Sequence, residues 1–321
     1  MRALILHGPG DLRLDEVADP HPGPGEVVLR VERALTCATD AKMLRNGAHP
    51  ALPPPPAPFG HEAAGVVAEV GDGVVGVAPG DRVVVANSAP CGECFFCRRD
   101  RPSLCEDLVY LTGAFAQFLR VPARIAARNM LPVPDGVAPA LAAMVEPVAC
   151  AVRTAERCDA RPGDVAVVLG AGVQGVVLAG LLAARGCRVV ACDPHPDRRD
   201  RAVRFGAERA MDAPRDAASV AAVRAATPGG RGGDLVVEAV GRPDAWEAAV
   251  ALARPGGEVV FHGGCAPGTE VRLPTHPLHY GELRLVGFYH HTPDAVRGAL
   301  RLIAEGALPF AELLGDEIPL A

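Results

Sequence analysis

Short apolar runs bounded by Gly or Pro dominate the first 145 residues of the chain. Segments 27–31, 65–70 and 81–85 are rich in β-branched residues, which favour strands that end in tight turns. Residues 53–56 are four consecutive prolines, an extended connector that fits neither a helix nor a central strand. The pattern therefore predicts a small, irregular β-barrel in this half of the chain.

From about residue 161 onward, strand-like runs alternate with stretches of helical length. Strands are predicted at 164–169, 188–192, 234–238 and 257–261, and helices at 176–185, 198–205 and 245–252. Strands that alternate with helices need crossover connections, which build a parallel sheet with helices on both faces. The fold class predicted for the chain is α/β, with a doubly wound parallel sheet following the barrel.

Composition narrows the classes of protein to which the chain can belong. Its 32 basic and 38 acidic side chains give a formal net charge of −6, which disfavours nucleic acid or an anionic membrane as the main partner. Gly, Pro or Arg interrupts every apolar run before it reaches membrane-spanning length, and residues 1–7 lack the features of a signal peptide. We therefore expect a cytoplasmic protein, in which 10 cysteines indicate metal or redox chemistry before disulfides.

A glycine-rich turn lies between the first predicted strand of the second half and the helix that follows it. It fits the pattern G-x-G-x-x-G, in which the glycines permit a sharp turn, close approach to a pyrophosphate, and packing of helix on strand. A turn of this kind that binds nothing is the alternative. The predicted cofactor-binding residues of the turn are Gly170, Gly172, Val173, Gln174 and Gly175.

An acidic residue at the end of the next predicted strand selects between two cofactors. Asp193 stands eighteen residues after Gly175, where a carboxylate accepts hydrogen bonds from the adenosine ribose and repels a 2′-phosphate. We therefore expect NAD. NADP is the less favoured alternative, since Arg198 and Arg199 lie near enough in sequence to accommodate a phosphate.

The most specific signal in the chain is a cysteine quartet in a loop at about residues 88–107. Cys91, Cys94, Cys97 and Cys105 offer four thiolates, the ligand set of a closed tetrahedral zinc site. Because sulfur fills all four positions, no place remains for water or substrate, and this zinc is expected to be structural. An iron–sulfur cluster or free thiols remain as alternatives.

Three further candidate ligands, Cys37, His61 and Glu146, are too dispersed for spacing alone to group them. The chain nevertheless resembles the zinc-dependent medium-chain alcohol dehydrogenases, in particular their polyol and threonine dehydrogenase branch. The resemblance is carried, in the family's order, by the segment Gly60-His61-Glu62, the cysteine quartet, the segment Met144-Val145-Glu146-Pro147, and the unit from Gly170 to Asp193.

This resemblance implies a domain organisation. Residues 1–148 would form a GroES-like catalytic domain of irregular β-barrel type, and residues 149–287 a Rossmann dinucleotide-binding domain. Residues 288–321 would return to the catalytic domain. Related proteins continue through a further helix and a closing strand, so we expect this C-terminus to be incomplete.

The resemblance also implies a catalytic site. Cys37, His61 and Glu146 would bind a catalytic zinc and leave its fourth position to water or an alcohol oxygen. Glu62 would lie beside the metal, Asp40 would orient the histidine, and the Thr39 hydroxyl would hydrogen-bond the substrate oxygen. A histidine buried in the core without a metal is the alternative for His61.

Two further assignments are less direct. Lys42 lies five positions after Cys37, where many family members carry a histidine that ends a proton relay near the cofactor ribose. Lys42 would hydrogen-bond the ribose and end the relay in place of that histidine; a solvated surface lysine is the alternative. The segment from Tyr289 to Pro293 would contact substrate through its histidines, or would simply start a helix capped by Thr292.

The sequence thus leads to an expected function. It predicts an oxidoreductase with two zinc ions per chain that transfers hydride reversibly from a zinc-bound secondary alcohol to NAD. A polyol, a sugar-like alcohol or an amino alcohol is the expected substrate, and the assembly implied by resemblance is a homodimer or homotetramer. An L-threonine 3-dehydrogenase-like enzyme is one alternative; a non-catalytic NAD-binding or redox-sensing protein is another.

Overall fold

Two compact units make up the chain in a computed structural model that describes residues 1–47 and 52–320. Unit 1 comprises Met1–Ala149 together with the segment from His291 onward, and unit 2 is Cys150–His290. Each unit has its own buried apolar cluster, one built on antiparallel strands and the other on parallel strands.

Unit 1 consists mainly of short antiparallel strands. Through residue 157, where the last helix crosses into unit 2, its elements are β1 (Arg2–Gly8), β2 (Asp11–Glu16), β3 (Val27–Leu35), α1 (Ala38–Asn46), β4 (Ala57–Pro58), β5 (Glu62–Val70), β6 (Arg82–Val85), β7 (Ser88–Ala89), β8 (Val109–Tyr110), β9 (Phe118–Val121), α2 (Ala123–Asn129), β10 (Met130–Pro132), α3 (Pro139–Ala143) and α4 (Val145–Arg157). Short 3-10 helices follow Phe96 and Arg101 in the cysteine loop.

Unit 2 alternates strands and helices. Its remaining elements are β11 (Val165–Leu169), α5 (Val173–Ala184), β12 (Arg188–Cys192), α6 (Pro196–Arg204), β13 (Arg209–Met211), α7 (Ala217–Ala225), β14 (Gly233–Glu238), α8 (Pro243–Leu252), β15 (Ala253–Phe261), α9 (Thr275–Tyr280) and β16 (Arg284–Gly287). The chain then re-enters unit 1, where α10 (Pro293–Ala304) precedes a 3-10 turn at Phe310–Leu313.

Three sheets organise the described part of unit 1. Their strand orders are β2-β1-β4, β10-β6-β5-β3-β9 and β7-β8, and every pairing is antiparallel. In the five-stranded sheet, alternate residues such as Val27 and Leu29 on β3, and Ala63 and Val67 on β5, enter one core. These residues lie two or four positions apart and so share one face of their strand, and they form the core of the barrel-like half that the sequence predicts.

The sheet of unit 2 is parallel throughout, with strand order β13-β12-β11-β14-β15-β16. The first strand in sequence, β11, lies in the middle, and all five of its residues are buried. The strand order reverses at β11, which creates the switch point where ligands bind in doubly wound sheets. The predicted α/β fold class, with a Rossmann sheet, is therefore confirmed.

The described residues contain no helix that is both long enough and apolar enough to cross a bilayer. Helix α10 is amphipathic and buries one face, since buried positions recur every three to four residues along it, whereas α4 is buried over most of its length.

Candidate active site

The first candidate metal ligand lies at the start of helix α1. Cys37 is the N-cap residue, with an extended backbone, and its Sγ accepts a hydrogen bond from the backbone N–H of Thr39 at 3.2 Å. Asp40 makes the reciprocal hydrogen bond of the helix cap, because its Oδ2 accepts from the backbone N–H of Cys37 at 2.9 Å. This capping box fixes the position of the sulfur through the helix start itself.

The second candidate ligand, His61, comes directly before strand β5 and is nearly buried. Its Nδ1 lies 3.0 Å from Asp40 Oδ1, and its Nε2 lies 3.2 Å from Cys37 Sγ. An Nδ1–H that donates to a carboxylate leaves the Nε2 lone pair available to a metal, and the carboxylate sets the orientation of the ring. Asp40 therefore holds both candidate ligands, Cys37 through its backbone and His61 through its ring.

A carboxylate lies close to the candidate thiol and imidazole ligands, and the distances bring Glu62 to this position. Ligand atoms of Cys37, His61 and Glu62 all lie within 4.8 Å of one another. Glu62 Oε1 is buried without a hydrogen-bond partner among the described residues, 3.8 Å from His61 Nε2. Glu146, near the start of α4, is also buried, and its charge acts on both His61 and Glu62. Two carboxylates thus stand beside the thiol and the imidazole.

The electrostatics of this cluster favour a cation. Burial, together with the charges of Glu146 and Cys37, raises the pKa of Glu62 well above its ordinary value. Burial opposes the charged form of His61, but its hydrogen bonds to Asp40 and Cys37 outweigh that effect and raise the pKa of His61 to about 12. So many acidic groups around one imidazole stabilise positive charge at the centre of the cluster. Sulfur, nitrogen and oxygen donors of this kind form open catalytic zinc sites, so the residues fit zinc.

Thr39 and Lys42 lie three residues apart in α1, which places them on the same side of the helix, but they differ in exposure. Thr39 lies half-buried in the first turn of α1, two residues from the candidate ligand Cys37, whereas Lys42 is exposed. Thr39 thus follows the candidate ligand closely and contacts its sulfur through the backbone N–H, whereas the Lys42 side chain is accessible to solvent.

We expect Asp40→Asn to weaken zinc binding at this cluster by about 10- to 100-fold, the usual effect of removing a carboxylate that orients a ligand histidine. The amide keeps the shape of the side chain but loses the charge that holds the His61 ring. Competition with a chromophoric chelator measures the affinity of the weaker of the two expected zinc ions. The matched control is Asp135→Asn, at an exposed position of unit 1; equal zinc affinity in both variants would contradict the role given to Asp40.

One histidine of the segment that the resemblance places near substrate is buried close to Glu146. His291 is 3% exposed, its Nε2 donates to Asn87 Oδ1 at 2.8 Å, and it lies 3.9 Å from Glu146 Oε1. The alternative for this segment, a capped helix start, is confirmed, since Thr292 Oγ1 accepts from the backbone N–H of Ala295 at the start of α10. No sequence pattern indicates a role for Asn87, because its partner His291 is 204 residues away in the chain.

The cysteine quartet is assembled in the loop that follows β7. Sγ atoms of Cys91 and Cys97 are 4.0 Å apart, those of Cys94 and Cys105 3.8 Å, and those of Cys105 and Cys91 3.5 Å. Four sulfurs at the tetrahedral Zn–S distance stand about 3.8 Å from one another. The observed spacing encloses room for one ion and is too tight for a multi-iron cluster. The quartet therefore fits a single structural zinc.

The glycine turn forms between β11 and α5 as the sequence predicts. Gly170 has a φ of +91°, and a Cβ at Gly175 would stand 1.7 Å from the carbonyl oxygen of Gly170. A Cβ at Gly172, the N-cap of α5, would meet nothing within 4 Å, and no side chain caps the helix. The backbone is therefore open at the helix N-terminus, where N–H groups and the helix dipole favour a phosphate.

Asp193, which directly follows β12, has a structural role that the sequence does not predict. Its Oδ2 accepts from the backbone N–H of Ala171 at 2.8 Å and its Oδ1 from that of His195 at 2.9 Å. Each carboxylate oxygen can accept a second bond, so the ribose role stays open. The Arg198 guanidinium is half-exposed, 3.8 Å from Asp193 Oδ2. The acidic and the basic residue that the sequence analysis connects with the choice between NAD and NADP thus lie side by side.

Comparison with known proteins covers both units. A family model described as the alcohol dehydrogenase GroES-like domain matches residues 23–135, and one described as zinc-binding dehydrogenase matches residues 174–305. Together they take in Cys37, His61, the cysteine quartet, Gln174, Gly175 and Asp193.

Individual relatives match over the whole chain. An erythritol/L-threitol dehydrogenase of Mycolicibacterium smegmatis is 33% identical, with 100% of this chain and 91% of the relative covered. An L-galactonate-5-dehydrogenase of Escherichia coli is 30% identical, with coverage of 100% and 92%. Among solved structures, a zinc-binding dehydrogenase from Sinorhizobium meliloti bound to NADP superimposes with a TM-score of 0.85 at 29% identity, with coverage of 96% and 89%.

Proposed function

The chain belongs to the zinc-dependent medium-chain alcohol dehydrogenases, and from this premise we propose that it transfers hydride reversibly from a secondary alcohol to NAD. As a member of this family it is an oxidoreductase that acts on CH–OH groups of small-molecule alcohols. The observation that carries the proposal is the buried cluster of Cys37 Sγ, His61 Nε2 and a Glu62 oxygen, all within 4.8 Å of one another.

The substrate class follows from the relatives and is proposed as a polyol, a sugar-like alcohol or an amino alcohol. The two relatives described above are named for erythritol, L-threitol and L-galactonate, each of which carries several hydroxyl groups. The cluster offers a buried carboxylate in addition to the sulfur and the imidazole, and this polar environment suits a hydroxylated substrate better than an apolar one.

The reaction removes a proton and a hydride from the same alcohol. Zinc bound at the cluster supplies a Lewis acid that polarises the substrate oxygen and lowers the pKa of the alcohol. Cys37 and His61 hold their donor atoms in place through Asp40, so little rearrangement is needed when substrate arrives. We assign Thr39 to accept the hydroxyl proton as it gives up its own, and the exposed Lys42 to take up that proton as a neutral amine and release it to solvent. NAD bound at the glycine turn would accept the hydride from the carbinol carbon, so that the alcohol would be released as a ketone.

The carboxylate ligand is proposed separately, because sequence and geometry favour different residues. The resemblance assigns Glu146, whereas the distances group Glu62 with Cys37 and His61. We propose Glu62 as the third ligand and Glu146 as a second carboxylate that adds negative charge nearby.

Paired variants test the choice between the two carboxylates. Glu62→Gln should lower the zinc content from two ions per chain to about one, since a neutral amide is a weaker ligand than a carboxylate. Glu146→Gln should retain two. Elemental analysis after gel filtration measures both, and the opposite pattern would assign the third ligand to Glu146. The two variants serve as controls for each other, because each removes one buried charge from the same cluster.

A substrate panel tests the proposed reaction. Initial rates are measured with erythritol, L-threitol, sorbitol, L-threonine and 2-butanol, each with NAD and with NADP. We expect the highest kcat/KM with a polyol, and a preference for NAD of about tenfold or more, because the Asp193 carboxylate repels a 2′-phosphate. Turnover only with NADP would overturn this role of Asp193. Turnover confined to L-threonine would favour a threonine dehydrogenase, and failure to oxidise any alcohol would contradict the proposed reaction.

A further inference from the structure

A chain of three polar side chains connects helix α4 to the first turn of α5 inside unit 2. Thr154 Oγ1 lies 2.8 Å from His262 Nδ1, and Gln174 Oε1 lies 3.1 Å from His262 Nε2. Thr154 is 2% exposed, and the other two residues are half-buried. Gln174 belongs to the glycine turn, whereas the proposed reaction uses neither Thr154 nor His262.

The partners of His262 fix the form of its ring. A carboxamide oxygen can only accept, so His262 Nε2–H donates to Gln174 Oε1, and Nδ1 accepts from the Thr154 hydroxyl. Burial lowers the pKa of His262 to about 4, which keeps the ring neutral at physiological pH. The ring therefore has one donor and one acceptor, and each is directed at a single partner.

The backbone that carries this ring is anchored at the carboxyl end of the sheet. His262, the first residue after β15, donates its backbone N–H to the carbonyl oxygen of Glu238 at 2.9 Å. Gly263 O accepts from Trp246 Nε1 at 3.0 Å, and the Trp246 ring stacks on Phe261 with centroids 3.8 Å apart. The imidazole thus projects from a fixed support, and it is Gln174 that the ring restrains.

We propose that His262 is a positioning residue of the dinucleotide site, which presets Gln174 and the first turn of α5 for a ligand that carries a pyrophosphate. The inference rests on the proposed function, because it takes NAD or NADH as the ligand. Gln174 is the second residue of α5, and N–H groups of this turn face the pyrophosphate in sites of this type. A turn held in its binding conformation before the ligand arrives loses less freedom on binding, which raises affinity.

The most specific variants change the Thr154 hydroxyl, which fixes the tautomer of the His262 ring. Thr154→Val keeps the shape of the side chain but removes the proton donated to His262 Nδ1, so the ring is no longer held in the form that donates to Gln174. Thr154→Ser retains the hydroxyl and serves as the matched control. His262→Ala removes the ring altogether, and His276→Ala, at an exposed histidine of α9, controls for the loss of an imidazole elsewhere in unit 2.

Three ligands show whether the variants affect binding of the pyrophosphate or of another part of the dinucleotide. Dissociation constants of the full-length protein are measured by calorimetry for NADH, ADP-ribose and AMP, of which only the first two contain a pyrophosphate. We expect Thr154→Val and His262→Ala to raise the dissociation constants of NADH and ADP-ribose by about 5- to 10-fold, the range expected for one lost hydrogen bond. AMP should bind with unchanged affinity, and the two control variants should match the wild type for all three ligands.

A double variant and a spectroscopic measurement complete the test. If His262 acts through Gln174, His262→Ala in a Gln174→Ala background should cause no further loss of NADH affinity. Nitrogen-15 spectra of the ring should show the neutral Nε2–H tautomer in the wild type.

Other results would overturn the inference. They are unchanged NADH affinity in both Thr154→Val and His262→Ala, a parallel loss for AMP, or a ring protonated at Nδ1. Wild-type protein that binds no NADH would instead overturn the proposed function, and with it the inference that depends on it.

Discussion

Replacing Cys37 by serine should remove one zinc ion per chain and lower kcat/KM by about 10³-fold or more, the equivalent of about 4 kcal/mol of transition-state stabilisation. Serine is a preferred N-cap, so the start of α1 survives while the thiolate ligand is lost. The expected signature is therefore a catalytic defect in a folded protein. Steady-state kinetics with the best substrate of the panel, elemental analysis and a thermal melt of the same preparation measure all three quantities.

The control for this variant is Cys265→Ser, which replaces a half-buried thiol of unit 2 that belongs neither to the cysteine quartet nor to the cluster around Cys37. It should keep two zinc ions and wild-type activity. Cys37→Ser with full activity and two zinc ions would show that the thiol of Cys37 is not a ligand, and the proposed catalytic site would then be wrong.

Replacing Cys94 by serine should act on stability instead. The quartet brings four sulfurs within 4.8 Å of one another in a loop with little apolar core, so the folding of this loop depends on the bound ion. Zinc binding at such a site contributes directly to the free energy of folding. We expect the free energy of unfolding to fall by about 4 kcal/mol or more, beyond the usual range for a single substitution.

The decisive measurement is urea unfolding at several buffered concentrations of free zinc. Wild-type stability should rise with free zinc, since a ligand that binds the folded state shifts the equilibrium toward it. Cys94→Ser should lose the part of this dependence that the quartet supplies, and Cys265→Ser should keep it. A Cys94→Ser protein with the stability and zinc dependence of the wild type would contradict a structural zinc in this loop.

The features that could be predicted from sequence are those encoded within a short stretch of chain. Strands and helices alternate after residue 161 because each element carries its own apolar pattern, and this pattern was enough to predict the parallel sheet. The glycine turn and the quartet are likewise local, since Gly170 and Gly175, or Cys91 and Cys105, are close in sequence and constrained by one loop.

The catalytic cluster could be assigned only by resemblance, for a physical reason. Cys37 and His61 are held together by Asp40, whose two oxygens contact a helix start and a ring 21 residues further along the chain. No periodic pattern encodes such a contact. The same holds for the pairs Asn87–His291 and Thr154–His262, which the fold brings together from 204 and 108 residues apart.

Resemblance and distance point to different carboxylates as the third metal ligand. It assigns a carboxylate to the metal by position in the sequence, at Glu146, whereas the distances depend on how β5 and α4 approach each other. Glu62 directly follows His61 and is the first residue of β5, and its Oε1 lies 3.8 Å from His61 Nε2. Which of two buried carboxylates binds an ion is thus a property of the packed structure.

Anomalous X-ray scattering at the zinc edge, from crystals of the protein as purified, tests the central claim most directly. We expect two peaks per chain: one inside the cysteine quartet, and one at about 2.3 Å from Cys37 Sγ and about 2.0–2.1 Å from His61 Nε2. A single peak inside the quartet, with none beside Cys37 and His61, would contradict the open metal site and leave a protein that binds a dinucleotide without catalysis.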